Sequence, residues 1–240
     1  MRRFFAENLD TGAASVVLRG DEARHISLVL RMHAGDEVLL INGSGEECEA
    51  VIVSSSESEV TLKIKEMRTG SAEPAVSVTL YQCLPKQGKM EVIIQKCVEL
   101  GIGNVVPTVS KRCIVKIEGK DSKLQRWNKV SLEASKQSGR ALIPKVEQPV
   151  LLSAIDFSGY DLILFAYENE SERTLRSVLR ELESIPRSIA IIIGPEGGFE
   201  AEEAESIIAR GGVSVSLGKR ILRTETAGMA MLAQIMYELD

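Results

Sequence analysis

Histidine is almost missing from this chain of 240 residues, where His25 and His33 are the only two. The four cysteines, Cys48, Cys83, Cys97 and Cys113, are widely spaced and form no CxxC pair. These shortages argue against a structural zinc site and a disulfide framework, so no metal is expected, and four reduced thiols fit a reducing compartment. No apolar run approaches the roughly 20 residues of a membrane span. The start, "MRRFFAENLD", lacks the apolar core and small-residue cleavage site of a secretion signal. A soluble cytoplasmic protein with no membrane partner is therefore expected. There is no internal repeat, no low-complexity tract, no G-x-G-x-x-G and no Lys-Ser/Thr pair to complete a P-loop, so both common nucleotide fingerprints fail.

What is present is unevenly placed. The formal net charge is −5, yet residues 86–145 carry 13 basic against 5 acidic side chains, while residues 146–240 carry 8 against 16. One segment holds the positive charge of an otherwise acidic chain. A solvated basic face and a surface for a polyanion fit this excess equally.

With 44% hydrophobic residues the chain can bury one large core or two smaller ones. Up to residue 67 it reads as short strands, "RRFF", "SVVLR", "EVLLI", "CEAVIV" and "VTLKIKEM", separated by turn-rich pieces such as "NGSGEE" and "SSSESE". One helix interrupts them. In "DEARHISLVLRM", Asp21 is placed to cap the start, and Ala23, Ile26, Ser27 and Leu30 share a face. A small β-barrel-like domain over residues 1–70 is expected, with a linker, "RTGSAEP", at 68–74. From residue 76 strands ("VSVTLYQ", "NVVPTV", "DLILFAY", "SIAIII", "VSVSL") alternate with helical stretches near 88–100, 121–138, 172–183, 200–210 and 225–239. This is the pattern of an α/β domain, residues 74–240, with a mostly parallel sheet covered on both faces. The last helix is apolar almost all round and requires more than one neighbour, in the core or across a subunit interface.

Three loops stand at the carboxyl ends of predicted strands: "FAYENE" (165–170), "GPEGGF" (194–199) and "SLGKRILRTETA" (216–227). Ligands of open α/β sheets bind there, so the three define one candidate site. A strand, a glycine turn and a helix start would ordinarily cradle phosphate. Here Glu200, Glu202, Glu203 and Glu205 repel an anion, and Pro195 removes a backbone donor. A cationic cofactor without phosphates suits the loops better, and S-adenosylmethionine meets that description; a purely structural turn is the alternative.

"VLRMHAGDEVLLINGSG", "MEVIIQKCVELGI", "RWNKVSLEASKQSGR", "IIIGPEGGFEAEEAE" and "SLGKRILRTETA", in that order, resemble the RsmE-type family of 16S ribosomal RNA uracil-N3 methyltransferases of the SPOUT superfamily. The resemblance runs from Arg2 to the last helix. It implies a parallel sheet with a C-terminal trefoil knot, a threading that patterning alone would exclude. It further implies a preceding PUA-like RNA-binding β-barrel, a homodimer with the cofactor near the subunit interface, S-adenosyl-L-methionine as cofactor, and 16S rRNA of the small ribosomal subunit as partner. One departure stands out. Glu200 occupies a position where the family often has Ser or Thr, so the following helix is expected to lack its best cap.

On that resemblance Gly194, Gly197 and Gly198 let the adenosyl moiety approach the backbone, Pro195 belongs to the same cofactor-binding wall, and Glu196 is either a cofactor contact or a solvated loop carboxylate. Ser216, Leu217, Gly218, Ile221 and Leu222 enclose it, and Phe165, Ala166 and Tyr167 form the remaining wall. Uracil N3 must lose a proton before or during methyl transfer, which calls for a base or a stabilising cation. Arg223 and Glu225 are the catalytic candidates, with a structural ion pair as their alternative role. Arg2, Arg3, Arg24 and Arg31 of the barrel, and Lys86, Lys89, Arg112, Lys136 and Arg140 of the basic segment, are the candidates for RNA phosphates. Glu133, Gln137, Ser138 and Arg140 would line the target pocket or brace the dimer. The rival readings are a SPOUT enzyme acting on a ribose 2′-hydroxyl and a non-catalytic ribosome-assembly factor.

Overall fold

The computed structural model describes all residues except 7, 8, 10, 11, 71, 87 and 115–119, and divides into two compact units. The first comprises Met1–Glu73 with Ser135–Ile143, and the second Pro74–Ala134 with Pro144–Asp240.

The first unit runs β1 (Arg2–Phe5), β2 (Ser15–Arg19), α1 (Asp21–Arg24) continuing into a π-helical turn (His25–Val29), β3 (Glu37–Ile41), β4 (Glu46–Ser55) and β5 (Glu59–Thr69). These strands make one sheet in the order β1-β3-β4-β5-β2, antiparallel except for β1 beside β3. The period-2 pattern explains the face they share: β2 buries Val16 and Leu18 and exposes the residues between. The register of β4 against β5 shifts at Glu49/Ala50 and Ile52/Ser54, and bulges of this kind bend a strand and raise its twist. Residues of both end strands, Phe5 and Val16–Arg19, line one small cavity of about 240 Å³, so the sheet curls on itself. Phe4, Ile26, Leu40, Ile52 and Leu62 fill its core.

The helix departs from expectation at its start. Gly20, at φ 63°, is the N-cap residue, and Asp21 lies inside the first turn, where its charge suits the helix dipole without capping it. Ala23 and Ile26 are buried as their spacing implies, but after Arg24 the hydrogen bonds widen, with the Leu30 N–H donating to the His25 carbonyl at 2.9 Å. The expected linker begins later than composition implies, because Arg68 and Thr69 still pair with β4. Its Ser71 lies outside the described residues.

Glu73 explains why Ser135–Ile143 belong with this unit. Its carboxylate accepts from Arg140 at 2.7 and 3.1 Å and from the backbone N–H groups of Ala141 and Leu142 at 3.0 and 2.9 Å. The Ala141 methyl fills the space a Cβ on Gly70 would need, so only glycine permits this approach. Arg140, expected among the RNA contacts, is 2% exposed and engaged by Glu73, because charge alone does not distinguish a buried guanidinium from a surface one. Lys136 of the same group is paired with Glu22.

The second unit contains β6 (Ser77–Cys83), α2 (Met90–Glu99), β7 (Asn104–Val109), most of α3 (Lys120–Ser138), β8 (Lys145–Val146), β9 (Val150–Leu151), β10 (Leu162–Ala166), α4 (Leu175–Arg180), β11 (Ser188–Ile193), α5 (Ala201–Ala209), β12 (Val213–Val215) and α6 (Thr224–Leu239). The sheet order is β12-β10-β11-β6-β7-β8, with β9 also on β7, and every pairing is parallel. Alternate residues serve two cores: Leu80, Leu164 and Ile191 face α2, α4 and α6, while Tyr81, Phe165 and Ile192 face Phe199 and Ile207 around α5. The two-residue strands β8 and β9 are too short to carry a hydrophobic period and escape a reading of the sequence. One side of α6, with Ala227, Met231, Leu232 and Ile235, is buried; Tyr237 is 89% exposed.

Removing one member of a buried pair leaves the other charge uncompensated, at a cost of about 3–5 kcal/mol. Glu73→Ala is expected to lower the denaturation midpoint accordingly, and the double change Glu73→Met with Arg140→Met to recover most of the loss.

Candidate active site

The carboxyl ends of β10, β11 and β12 open onto a cavity of about 690 Å³. Sites for small cofactors have this size. Every residue named from the sequence as cofactor-binding lines it except Phe165. Strand alternation turns Phe165 to the opposite face of the sheet, where it is fully buried with its ring 6.1 Å from that of Phe199.

Buried hydrogen bonds set the shape of the walls. Thr224 Oγ1 donates to the Gly194 carbonyl at 2.6 Å and accepts from Gln82 Nε2 at 2.9 Å, and Gln82 also donates to the Cys83 carbonyl at 3.0 Å. One fully buried amide thus ties the end of β6 to the turn after β11 and the first turn of α6. Gly198 has φ 68°, and the Glu168 carboxylate occupies the space a side chain there would need, so glycine is required on both counts. Gly194 lies close under the Phe199 ring, 3.2 Å from where its Cβ would stand.

The acidic start of α5 is covered by two cations. Arg112 donates to the Gly197 carbonyl at 2.6 Å and to both Glu200 oxygens at 2.8 and 3.1 Å. That guanidinium holds the Glu200 carboxyl below its usual range. The Lys111 backbone N–H donates to Glu203 at 2.8 Å, and its ammonium pairs with Glu202. Glu203 also accepts from the Glu200 backbone N–H at 3.0 Å, so the helix start is satisfied without the hydroxyl residue expected there. Arg112, expected at RNA, braces the glycine turn and keeps a side chain that is 42% exposed.

A second charged group sits at the cavity. Lys89 Nζ lies 3.2 Å from Glu225 and 3.8 Å from Glu196, and Glu196 accepts from the Lys86 backbone N–H at 2.9 Å. The Glu225 carboxyl is held below its usual range by a backbone N–H at the start of α6, then by Lys89 and Arg223, so it is ionised at neutral pH. Arg223 lines the same cavity. Sequence reasoning placed Lys89 among the RNA contacts and missed Glu168, Arg220 and Thr224 as lining residues. The signal available was the strand-to-helix loop "CLPKQGK", a fourth carboxyl end beside the other three. Arg2, Arg24, Arg31 and Lys86 have exposed side chains, while Arg3 lies 3.9 Å from the buried Glu47.

Parallel strands ending in glycine turns over such a cavity, in one chain with a small curled sheet, occur in a known class of protein. Residues 72–236 match the RNA methyltransferase domain family, and residues 18–65 match the RNA methyltransferase PUA domain. The chain is an RNA methyltransferase. It is 34% identical to ribosomal RNA small subunit methyltransferase E of Bacillus subtilis (strain 168), with 100% of this chain and 98% of that protein covered. The same enzyme of Mycobacterium bovis is 30% identical, covering 97% of this chain and 90% of that one. Among solved structures, ribosomal RNA small subunit methyltransferase E from Neisseria gonorrhoeae bound to S-adenosyl methionine superposes with a TM-score of 0.85 at 29% identity, covering 98% and 96%. The chain belongs to the ribosomal RNA small subunit methyltransferase E family.

Next to Arg112, Cys113 is partly exposed, and Ser110 N and Oγ lie 3.4 Å from its sulfur. A hydrogen bond with the buried Cys83 thiol, aided by Ser110 and opposed by burial, lowers Cys113 to about 6. Burial pushes Cys97 up to about 12. Iodoacetamide at pH 7 is expected to label Cys113 first, at a rate that falls as the pH drops through about 6. Peptide mass spectrometry checks this; uniform labelling of all four cysteines would contradict it.

Proposed function

We propose that this protein transfers a methyl group from S-adenosyl-L-methionine to N3 of a uridine in 16S ribosomal RNA of the small ribosomal subunit. The observation that carries the reading is the glycine-walled cavity at three adjacent strand ends, with Lys89, Arg223 and Glu225 gathered beside it. The cavity fits the cofactor chemically. Ile193, Val215, Leu217, Leu222 and Ala227 offer an apolar lining for an adenosyl group, and Gly197 and Gly198 leave the backbone approachable. Glu168 and Glu196 bring negative charge to a cavity that must accept a sulfonium. When bound, the cofactor supplies an electrophilic methyl group.

The residues around it divide the remaining work. Gly194, Pro195, Glu196, Gly197 and Gly198 shape one wall, Ser216, Leu217, Gly218, Ile221 and Leu222 a second, and Ala166 and Tyr167 a third. Glu225 is ionised and able to take a proton; Arg223 is a cation suited to charge developing on the base. The exposed Arg2, Arg24, Arg31 and Lys86 are assigned to RNA phosphates, which position the substrate without reading its sequence.

The same reading treats residues 1–70, completed by 135–143, as the RNA-binding domain and 74–240 as the methyltransferase domain. It includes a trefoil knot, supported by the entry of β11 between β6 and β10, both earlier in the chain. It includes a homodimer, supported by the exposed side of an otherwise apolar α6, and a place in the cytoplasm with the ribosome. Among the described residues no helix is long and apolar enough to cross a membrane.

Calorimetric titration with S-adenosyl-L-methionine is expected to show binding, and Gly198→Ala to weaken it at least about tenfold, since a non-glycine residue there costs roughly 1–2 kcal/mol before Glu168 is displaced. Primer extension on 16S rRNA from cells with and without the protein is expected to differ by one stop, because N3 methylation blocks base pairing. A ribose mark without that stop would favour the 2′-hydroxyl enzyme, and absence of cofactor binding the assembly factor.

A further inference from the structure

The Watson–Crick edge of uracil presents an acceptor, a donor and an acceptor in the order O2, N3–H, O4. Cytosine presents two acceptors and a donor. An enzyme that works on N3 of a base drawn out of its stack reads that edge by hydrogen bonding. The complementary set stands at the cavity: Lys89 and Arg223, donors only, line it, and Glu225, acceptor only, is paired with Lys89. Lys89 is held against Glu225 at 3.2 Å, and Glu196, itself fixed by the Lys86 backbone N–H, keeps a second carboxylate 3.8 Å from the same ammonium. Arg223 stands two residues before Glu225 and, like Lys89, lines the cavity.

Resting on the N3 reading above, we propose that Lys89, Glu225 and Arg223 together form the reader of the uracil edge, and that Lys89 is a catalytic residue rather than an RNA-phosphate contact. Glu225 accepts the N3–H hydrogen bond, and the two cations donate to O2 and O4. As the N3–H bond breaks, the proton passes to Glu225 and the electron pair remains on the base, where its charge spreads onto the two oxygens facing Lys89 and Arg223. That pair forms the new N–C bond; the methyl's former bonding pair leaves with sulfur, whose positive charge it cancels. Glu225 then releases its proton to solvent. Cytosine is rejected because its N3 would set a lone pair against the carboxylate, and its exocyclic amine would face a cation. Arg223 alone cannot do this, because Lys89 is the cation positioned directly on the proton acceptor.

The test uses the full-length protein and reconstituted small subunits carrying uridine, cytidine or 5-fluorouridine at the position of the primer-extension stop. The 5-fluoro base has a more acidic N3–H, so its anion needs less help. Lys89→Met is expected to lower turnover on uridine by about 10²-fold, but several-fold less on 5-fluorouridine, while Lys89→Arg retains much of the activity. In binding measurements without cofactor, wild-type protein is expected to prefer uridine-bearing over cytidine-bearing subunits. Glu225→Gln, whose amide also donates, is expected to erase that preference. Equal losses of Lys89→Met on both substrates, or discrimination unchanged in Lys89→Met and Glu225→Gln, would overturn the proposal. Lys89→Gln gives the same substrate ratio if the methionine variant folds poorly. If wild-type protein leaves no N3 mark on uridine or 5-fluorouridine, the N3 reading itself has failed, an outcome distinct from either of the others.

Discussion

The cavity depends on one buried side chain. Gln82 lies one residue before the end of β6 inside the core, and through Thr224 its amide is linked to the carbonyl of Gly194. A buried amide N–H without a partner costs about 1–3 kcal/mol of desolvation, so these three segments hold together or the core is penalised. Because Thr224 opens α6 and Gly194 opens the glycine turn, the same contacts that engage the Gln82 amide nitrogen fix the relative placement of Glu225, Arg223 and the cavity walls. Gly228 contributes by leaving room, since a Cβ there would lie 3.3 Å from the Gln82 oxygen.

The segregation of charge along the chain acquires a different meaning from the pairs it makes. Lys89, Lys111 and Arg112 come from the basic stretch; Glu196, Glu200, Glu202 and Glu225 come from the acidic one. The opposite excesses partly neutralise each other around the cavity. These are mostly half-exposed pairs, each worth little to stability. Their effect is geometric: Arg112 pins Gly197, and Lys89 collects two carboxylates from different elements at the cavity.

The larger elements were legible because each carried its own period. The apolar stripe of Met90, Ile93, Ile94 and Cys97 marks α2, and the β-branched runs mark β10 and β11. The glycine turns were legible as well, since Gly198 sits at a positive φ that a sequence can signal. The trio around Gln82 was not, because its members are spread across more than 140 residues and only the sheet brings them together. Phe165 was misassigned through proximity to Ala166, when a one-residue step along a strand reverses the face. Lys89 and Arg140 look alike in a basic stretch; their partners, Glu225 and Glu73, are distant in the chain.

The strand order also constrains how the molecule is made. β11 lies between β10 and β6, and both precede it in the chain. When β11 emerges from a ribosome its two neighbours are already present, and they cannot have zipped to each other if it is to enter. Long-range parallel pairings of this kind form slowly, because loop closure precedes any gain from contact. The last strands and helix, which complete the cavity, are then also the last to find their places. Maturation of the catalytic centre and completion of the fold become the same event, so a chain stalled before β11 docks would be compact in its first unit yet chemically inert.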